Sequence, residues 1–283
     1  MKYIIVGDTH IRKMPPVFRN RNFYDELCNK LRQIKILSEK HSAEVIVLGD
    51  FFDNAIQSDL EQIISDNINS IKGWYTLIGN HDTKNIIGSL YNTSLGILQN
   101  TGIIKIAKNT NISDIFHYYN RNDYGKFTDK KYAFIHDYIL PEGVNVMYEH
   151  KKCVGNNYKY VFIGHYHLPF DILSGCTRFI NPGSLMRLTA DEIKLNRKPE
   201  VLLLDTETDE LIHIPLQSAD LSDIINTGYI EQKENKFESK FVDLLINTNI
   251  SNSKGDIVSL LKNNNISDNV INYVSEKIKV LTK

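Results

Sequence analysis

The sequence predicts an α/β fold followed by a small helical module at the C-terminus. Three observations predict it. Short apolar runs rich in β-branched residues recur through the first 216 residues, and each stops at glycine or at a polar residue. Helix-compatible stretches separate the first three of these runs, an alternation that favours parallel pairing. After about residue 217 the chain turns asparagine-rich, and its apolar residues take up helical spacing.

Residues 3–6 (Tyr-Ile-Ile-Val) read as a buried strand that breaks at Gly7. A basic loop with a Pro-Pro pair follows, carrying Arg12, Lys13, Arg19 and Arg21. Asn22 is placed to cap a helix in which Phe23, Leu27, Leu31 and Ile34 share one face. Residues 44–48 form a second strand ending at Gly49, and residues 74–78 a third ending at Gly79. Further runs lie at 132–135 and 160–163. Residues 201–216 read as a hairpin turning at 205–210. Beyond it, Phe237, Phe241, Leu244 and Leu245 line one stripe, and Ile266, Val270, Val274, Ile278 and Leu281 another. Ser253 and Asp256 have capping-box spacing. The expected division is therefore a domain over 1–217 and a helical module over 218–283.

The bulk numbers exclude several classes. With 33 Lys and Arg against 34 Asp and Glu the net charge is -1, so any case for nucleic-acid binding has to be local. Cys28, Cys153 and Cys176 are too few and too scattered for a disulfide framework, which points to a reducing, cytoplasmic setting. No apolar run reaches the length of a membrane span, and the run at 3–6 is too short for a signal peptide. No membrane partner is expected.

Five segments carry chemistry: GDTH (7–10), GDFFD (49–53), GNHD (79–82), His136 in YAFIHDY, and GHYH (164–167). Each follows a strand-like run, so an α/β sheet would gather them at the carboxyl ends of its strands. Carboxylates, an amide oxygen and imidazoles without thiolate are the ligands of a hard-to-borderline divalent metal. Asp50 has two oxygens and can bridge. The expected division is Asp8, His10, Asp50 and His167 on one ion, and Asp50, Asn80, His136 and His165 on the other. Two ions about 3.5–4 Å apart clamp a phosphoryl group for in-line attack and lower the pKa of the water between them. His81 adjoins a ligand and is the candidate for protonating the leaving alkoxide. Asp53 is the candidate for orienting and charging His81. Asp82 and Asp137 read as loop-stabilising hydrogen bonders.

These motifs, all five in order, resemble the calcineurin-like metallophosphoesterase superfamily over about residues 1–216. Within it the chain resembles the SbcD-type DNA-repair nucleases. That finer resemblance rests on the basic loop after GDTH, the GDFFD form, NPGSLMRLTADE (181–192) and the closing hairpin VLLLDTETDELIHIPL. The resemblance implies a four-layer α/β/β/α sandwich and DNA phosphodiester cleavage, exonucleolytic or endonucleolytic, in DNA repair or replication. It also implies two divalent ions. Manganese is the implied metal, while zinc, iron or magnesium would suit the same donors. SbcD-type proteins follow their nuclease core with a capping domain and a segment for the SbcC ATPase. Residues 218–283 are short for both, so one is expected to be missing or reduced.

Arg12, Lys13, Arg19, Arg21, Ser184 and Arg187 are the candidate DNA contacts, since they flank the motifs. Their bland reading is solvated surface, and a turn in the case of Ser184. The two C-terminal stripes would meet an SbcC-like ATPase, or close their own core or a homodimer. Two rivals stand beside the DNA nuclease. One is a small-substrate phosphodiesterase or phosphoprotein phosphatase on the same scaffold. The other is a mainly structural DNA-binding subunit of an ATPase complex.

Overall fold

A computed structural model describes residues 1–19, 22–83, 90–107, 116–119, 130–139, 158–189 and 197–224, with backbone alone at 116–119, 221 and 222. The chain divides into two compact units, Met1–Asn226 and Thr227–Lys283. All the described residues belong to the first.

Two sheets form its centre. The first has the order β11-β10-β1-β2-β3-β4 and comprises Lys2–Val6 (β1), Ala43–Val47 (β2), Tyr75–Thr76 (β3), Lys105–Ile106 (β4), Glu200–Asp205 (β10) and Glu210–Pro215 (β11). β1 to β4 pair in parallel, and the β10–β11 hairpin adds antiparallel to β1. The second has the order β5-β6-β7-β9-β8: Phe116–Tyr119 (β5), Tyr132–His136 (β6), Tyr160–Gly164 (β7), Phe170–Ser174 (β8) and Thr177–Asn181 (β9). Only β8 runs antiparallel to its neighbour there.

The two-residue period of a strand sorts these side chains into layers. Tyr3, Ile5, Ile46, Leu48, Leu202 and Leu204 meet Tyr132, Phe134, Phe162 and Ile180 in one cluster between the sheets. The alternate residues Ile4, Val6, Val45, Val47, Val201 and Leu203 face the other way, onto helices. Both faces are buried, which is why these strands are continuously apolar. Each such side chain contributes roughly 1.5–3 kcal/mol on burial.

The covering helices are Phe23–His41 (α1), Leu60–Ile71 (α2) and Ser94–Asn100 (α4), with the short Asn80–Thr83 (α3) between the last two. α1 buries Phe23, Leu27, Leu31 and Ile34, the stripe read from the sequence. Asn22 stands at its N-cap position but makes no side-chain cap; its amide donates instead to Asp223 O at 3.4 Å. Acidic Asp25 and Glu26 in the first turn and Lys40 and His41 in the last suit the helix dipole.

Helix, sheet and sheet account for three layers of the expected α/β/β/α sandwich. The outer face of the second sheet carries its own apolar cluster of Ala133, Ile135, Val161, Ile163 and Phe179. The helical layer expected there lies outside the described residues, as do Cys153, both C-terminal stripes and the Ser253–Asp256 spacing. Residues 217–224 end on the first unit. Gln217 exchanges two hydrogen bonds with Gln33, Arg187 donates to Ala219 O, and Ile224, in the short helix Leu221–Ile224 (α5), is fully buried. Among the described residues no helix is long and apolar enough to cross a membrane.

Candidate metal centre

Every motif segment stands at the carboxyl end of a parallel strand. Asp8 follows β1, Asp50 follows β2, Asn80 opens α3 after β3, His136 ends β6 and His165 follows β7. Three residues of these segments adopt left-handed backbone, with φ of 42° at His10, 46° at Asp50 and 88° at His165. Such conformations cost about 1–3 kcal/mol and persist only where the surroundings hold them. Here the hold is visible. His10 N donates to Asp50 O (2.9 Å) and Ile11 N to Phe51 O (2.9 Å), so the first two loops zip together. His165 N donates to both carboxylate oxygens of Asp8, at 3.0 and 2.9 Å. Gly49 (φ 101°) and Gly79 leave room that a side chain would take: a Cβ at either would collide with His136 or with the Asp50 carboxylate.

The candidate donors fall into two groups about Asp50, and a further cluster of His10, Asp53 and His81 adjoins the first. Asp8, His10 and His167 offer atoms within 4.8 Å of one another, and so do Asp50, His136 and His165. Asn80 Oδ1 lies 3.1 Å from His136 Nε2, adding the amide oxygen to the second group. His10 Nε2 and His167 Nε2 stand 3.0 Å apart. Asp50 Oδ1 accepts from His81 N at 2.8 Å, while Asp50 Oδ2 is buried without a hydrogen bond. That oxygen sits 3.7 Å from His10 Nε2 and 3.4 Å from His136 Nε2, between the two groups. An unsatisfied buried carboxylate oxygen flanked by imidazole nitrogens of both groups fits a pair of divalent cations.

Polar contacts behind the donors, a hydrogen bond at His136 and a carboxylate approach at His10, orient the two rings. His136 Nδ1 donates to Leu48 O at 2.7 Å, which leaves Nε2 as the ligand atom. His10 Nδ1 lies 3.4 Å from Asp53 Oδ1, and Arg12 holds the other Asp53 oxygen at 2.6 Å. The charges follow. Burial raises the Asp8 carboxyl although His136 and His10 oppose it. Burial acts the same way on Asp50, but the His136 imidazole 3.4 Å away, with His10 and the His81 N–H, prevails and holds it below the usual carboxylate range. His136 is raised to about 9: burial opposes, and Asp50 and Asp8 outweigh it. Burial and His10 push His167 down to about 3. A proton and a divalent ion would compete for the same lone pair on His136, so an ion bound there would displace a proton.

His81 lies beside both groups, its ring edge-on to His10 with centroids 4.7 Å apart. Its Nδ1 lies 2.7 Å from the backbone oxygen of Asp53. The hydrogen bond at His81 goes to the Asp53 carbonyl, while the Asp53 carboxylate clusters with His81 and His10 and also meets Arg12. Burial would raise that carboxyl, yet His10 and Arg12 lower it to about 2. Asp82 is the loop brace expected of it, accepting from the backbone N–H groups of Gly79, Phe51 and Phe52. Burial raises its carboxyl to about 7 against those bonds.

The sequence reading missed what the segment after β9 does. Ser184 N donates to His167 O (3.1 Å), Leu185 N to Asp8 O (2.8 Å) and Asn181 Nδ2 to Tyr166 O (2.6 Å). The NPGSL turn therefore ties the last ligand loop to the first. Its Asn-Pro-Gly spelling signals a turn but not what the turn touches.

The candidate DNA contacts divide. Arg19, Ser184 and Arg187 are only 2, 0 and 3% exposed. Arg19 pairs with Glu26 at 2.6 Å, Arg187 approaches Glu26 at 3.8 Å, and the Ser184 hydroxyl donates to Met186 O. Their expected role as contacts is corrected: these side chains brace the inside of the fold. Arg12 is engaged with Asp53 and stacks over Phe23, while Lys13 is exposed. Arg21 lies outside the described residues.

Residues 1–209 match the model of the calcineurin-like phosphoesterase superfamily domain. No curated protein matches the chain. Among solved structures, the chain is similar to an archaeal phosphodiesterase, at 16% identity over 76% of this chain and 100% of that one, with a TM-score of 0.41. It is also similar to zinc-complexed Vps29 from Entamoeba histolytica, at 14% identity over 75% and 89%, with a TM-score of 0.33.

Proposed function

The chain belongs to the calcineurin-like phosphoesterase superfamily, and from that premise we propose that it is a two-metal phosphodiesterase that cleaves DNA, of the SbcD type. The observation that carries the two-metal reading is the buried Asp50 Oδ2, unbonded and lying between His10 and His136 of the two donor groups. When bound, two divalent ions, manganese in this reading, activate water and neutralise charge on the phosphoryl oxygens.

The protein's own residues do the rest. Asp8, His10, Asp50 and His167 hold one position, and Asp50, Asn80, His136 and His165 the other. Leu48 O and Asp53 turn the His136 and His10 rings so that Nε2 faces inward. His81 Nδ1 is held by Asp53 O, which leaves Nε2 as the nitrogen available to exchange a proton with the leaving oxygen.

The step to DNA rests on the SbcD-type segments GDFFD and NPGSLMRLTADE, and on Lys13 and Arg12 just after the first ligand pair. An SbcC-like ATPase as partner of residues 218–283 belongs to the same reading. A second reading is favoured by one observation: Arg19, Ser184 and Arg187 turn inward, which leaves less basic surface and suits a small diester. A purely structural subunit would not need seven ligands.

The deciding experiment incubates purified protein and manganese with end-labelled single- and double-stranded DNA, beside bis-p-nitrophenyl phosphate. Cleavage of DNA supports the proposal. Hydrolysis of the small diester alone selects the second reading. Full activity in excess chelator removes both.

A further inference from the structure

Two tyrosines border the metal centre without belonging to either donor group. Tyr138 stands two residues beyond His136, and Tyr166 between His165 and His167. The Tyr138 ring meets the His165 ring with centroids 5.4 Å apart and an interplanar angle of 77°. It meets the Tyr166 ring at 6.3 Å and 89°, so the two tyrosines form a right-angled corner. His165 in turn lies 5.2 Å from His136, which joins that corner to the metal centre.

The corner is presented on a fixed turn. Asp137 Oδ1 accepts from Tyr138 N at 2.8 Å, and Asp137 O from Ile139 N at 2.9 Å. Ile139 is 1% exposed and anchored in the outer cluster of the second sheet, whereas Tyr138 beside it is 39% exposed. The turn thus buries one neighbour and holds a large aromatic ring out in water at the rim of the site. Exposing that ring contributes little to folding and offers a ligand an apolar face.

We propose that Tyr138 and Tyr166 form a base-stacking subsite that takes the unstacked nucleobase next to the scissile phosphate. The substrate of this site is then a single-stranded or frayed nucleic-acid end. A nucleobase sits one sugar away from its phosphate, so a ring packed on a metal-ligand histidine is within its reach. Tyrosine faces accept any base, which makes the subsite tolerant of sequence. A paired duplex keeps its bases stacked inside and cannot fill the corner without fraying. The inference deepens the proposed function and rests on it: charge neutralisation on the phosphate is limited with Arg19 and Arg187 turned inward, and stacking supplies affinity that salt does not screen.

The test separates the subsite from the cleavage reaction. Binding of a short fluorescent oligothymidylate and of an abasic strand of equal length is followed by anisotropy. The full-length protein is used with calcium as the divalent ion, at low and raised salt. Wild type should favour the base-bearing strand by about 5- to 150-fold, the factor for stacking worth roughly 1–3 kcal/mol per base. That ratio should hold as salt rises. Tyr138→Leu and Tyr166→Leu should cut it, while Tyr138→Phe should keep it. Equal binding of both strands, a ratio untouched by either leucine variant, or no binding of either strand overturns the inference. A preserved ratio in a protein that manganese cannot make cleave DNA supports the subsite and sinks the nuclease reading instead.

Discussion

At the scale of single residues, the centre is a set of donors whose free atoms are decided by what lies behind them. Asp53 illustrates this. Its carboxylate is 3.4 Å from His10 Nδ1 and 2.6 Å from Arg12, and its backbone oxygen is 2.7 Å from His81 Nδ1. Asp53→Asn is therefore expected to weaken metal binding by about 10–100-fold, the usual loss when a carboxylate behind a ligand histidine is removed. Isothermal titration with manganese would show it. A loss of rate at saturating metal with unchanged affinity would return Asp53 to service of His81. His81→Ala is expected to do the reverse: two ions retained by elemental analysis, and turnover down by roughly 10²–10⁴. Loss of an ion in that variant would make His81 structural.

At the scale of elements, α1 is locked to the loop after β9 by a cluster of buried charges. Glu26 receives Arg19 at 2.6 Å and Lys30 at 2.9 Å, with Arg187 at 3.8 Å. The balance is unequal, and the two partners respond differently. Burial alone would raise the Glu26 carboxyl, but Lys30 and Arg19 hold it below its ordinary 4.5. Burial lowers Lys30 to about 8, because its one carboxylate is offset by Arg187 and Arg197. A carboxyl held low contributes stability that is complete above the unfolded pKa and disappears as pH falls through the folded one. Thermal unfolding should thus show an acid limb below about pH 4.5 that Glu26→Gln flattens, on top of a loss of about 3–5 kcal/mol at neutral pH from stranding buried cations. An unchanged acid limb in the variant would remove Glu26 from the account.

At the scale of the whole molecule, the first compact unit runs to Asn226, beyond the hairpin that closes the sheet. Residues 217–224 are tied to Gln33, Arg187 and Asn22. A chain ending at 226 is expected to melt as a single cooperative unit and to keep metal-dependent hydrolysis of a small diester. A chain ending at 216 should melt lower, having lost those bonds and the buried Ile224. If residues 227–283 serve an ATPase partner, the chain ending at 226 should also lose co-purification with it. Aggregation of that chain would mean the second unit completes the core of the first.

The sequence by itself determined seven of the strands and the segments of candidate donors that follow five of them. Each of those is a local signal: β-branched runs that stop at glycine, and Asp, Asn and His placed directly after them. A parallel sheet turns such spacing into convergence, because every strand delivers its next residue to the same edge. The stripe on α1 was equally legible, since helical period alone marks its buried face. What only the tertiary structure decided is where polar side chains go when two partners compete. Nothing local distinguishes an arginine that meets Glu26 inside the fold from one that meets phosphate outside. Nothing in GDFFD tells whether the last aspartate offers its carboxylate or its carbonyl to His81. The edge hairpin of β8 and β9 was missed for the same reason: half of its first strand faces solvent, and its pairing depends on partners distant in the chain. Charge and hydrogen-bond capacity are properties of a residue, but the partner that satisfies them is chosen by the packing around it.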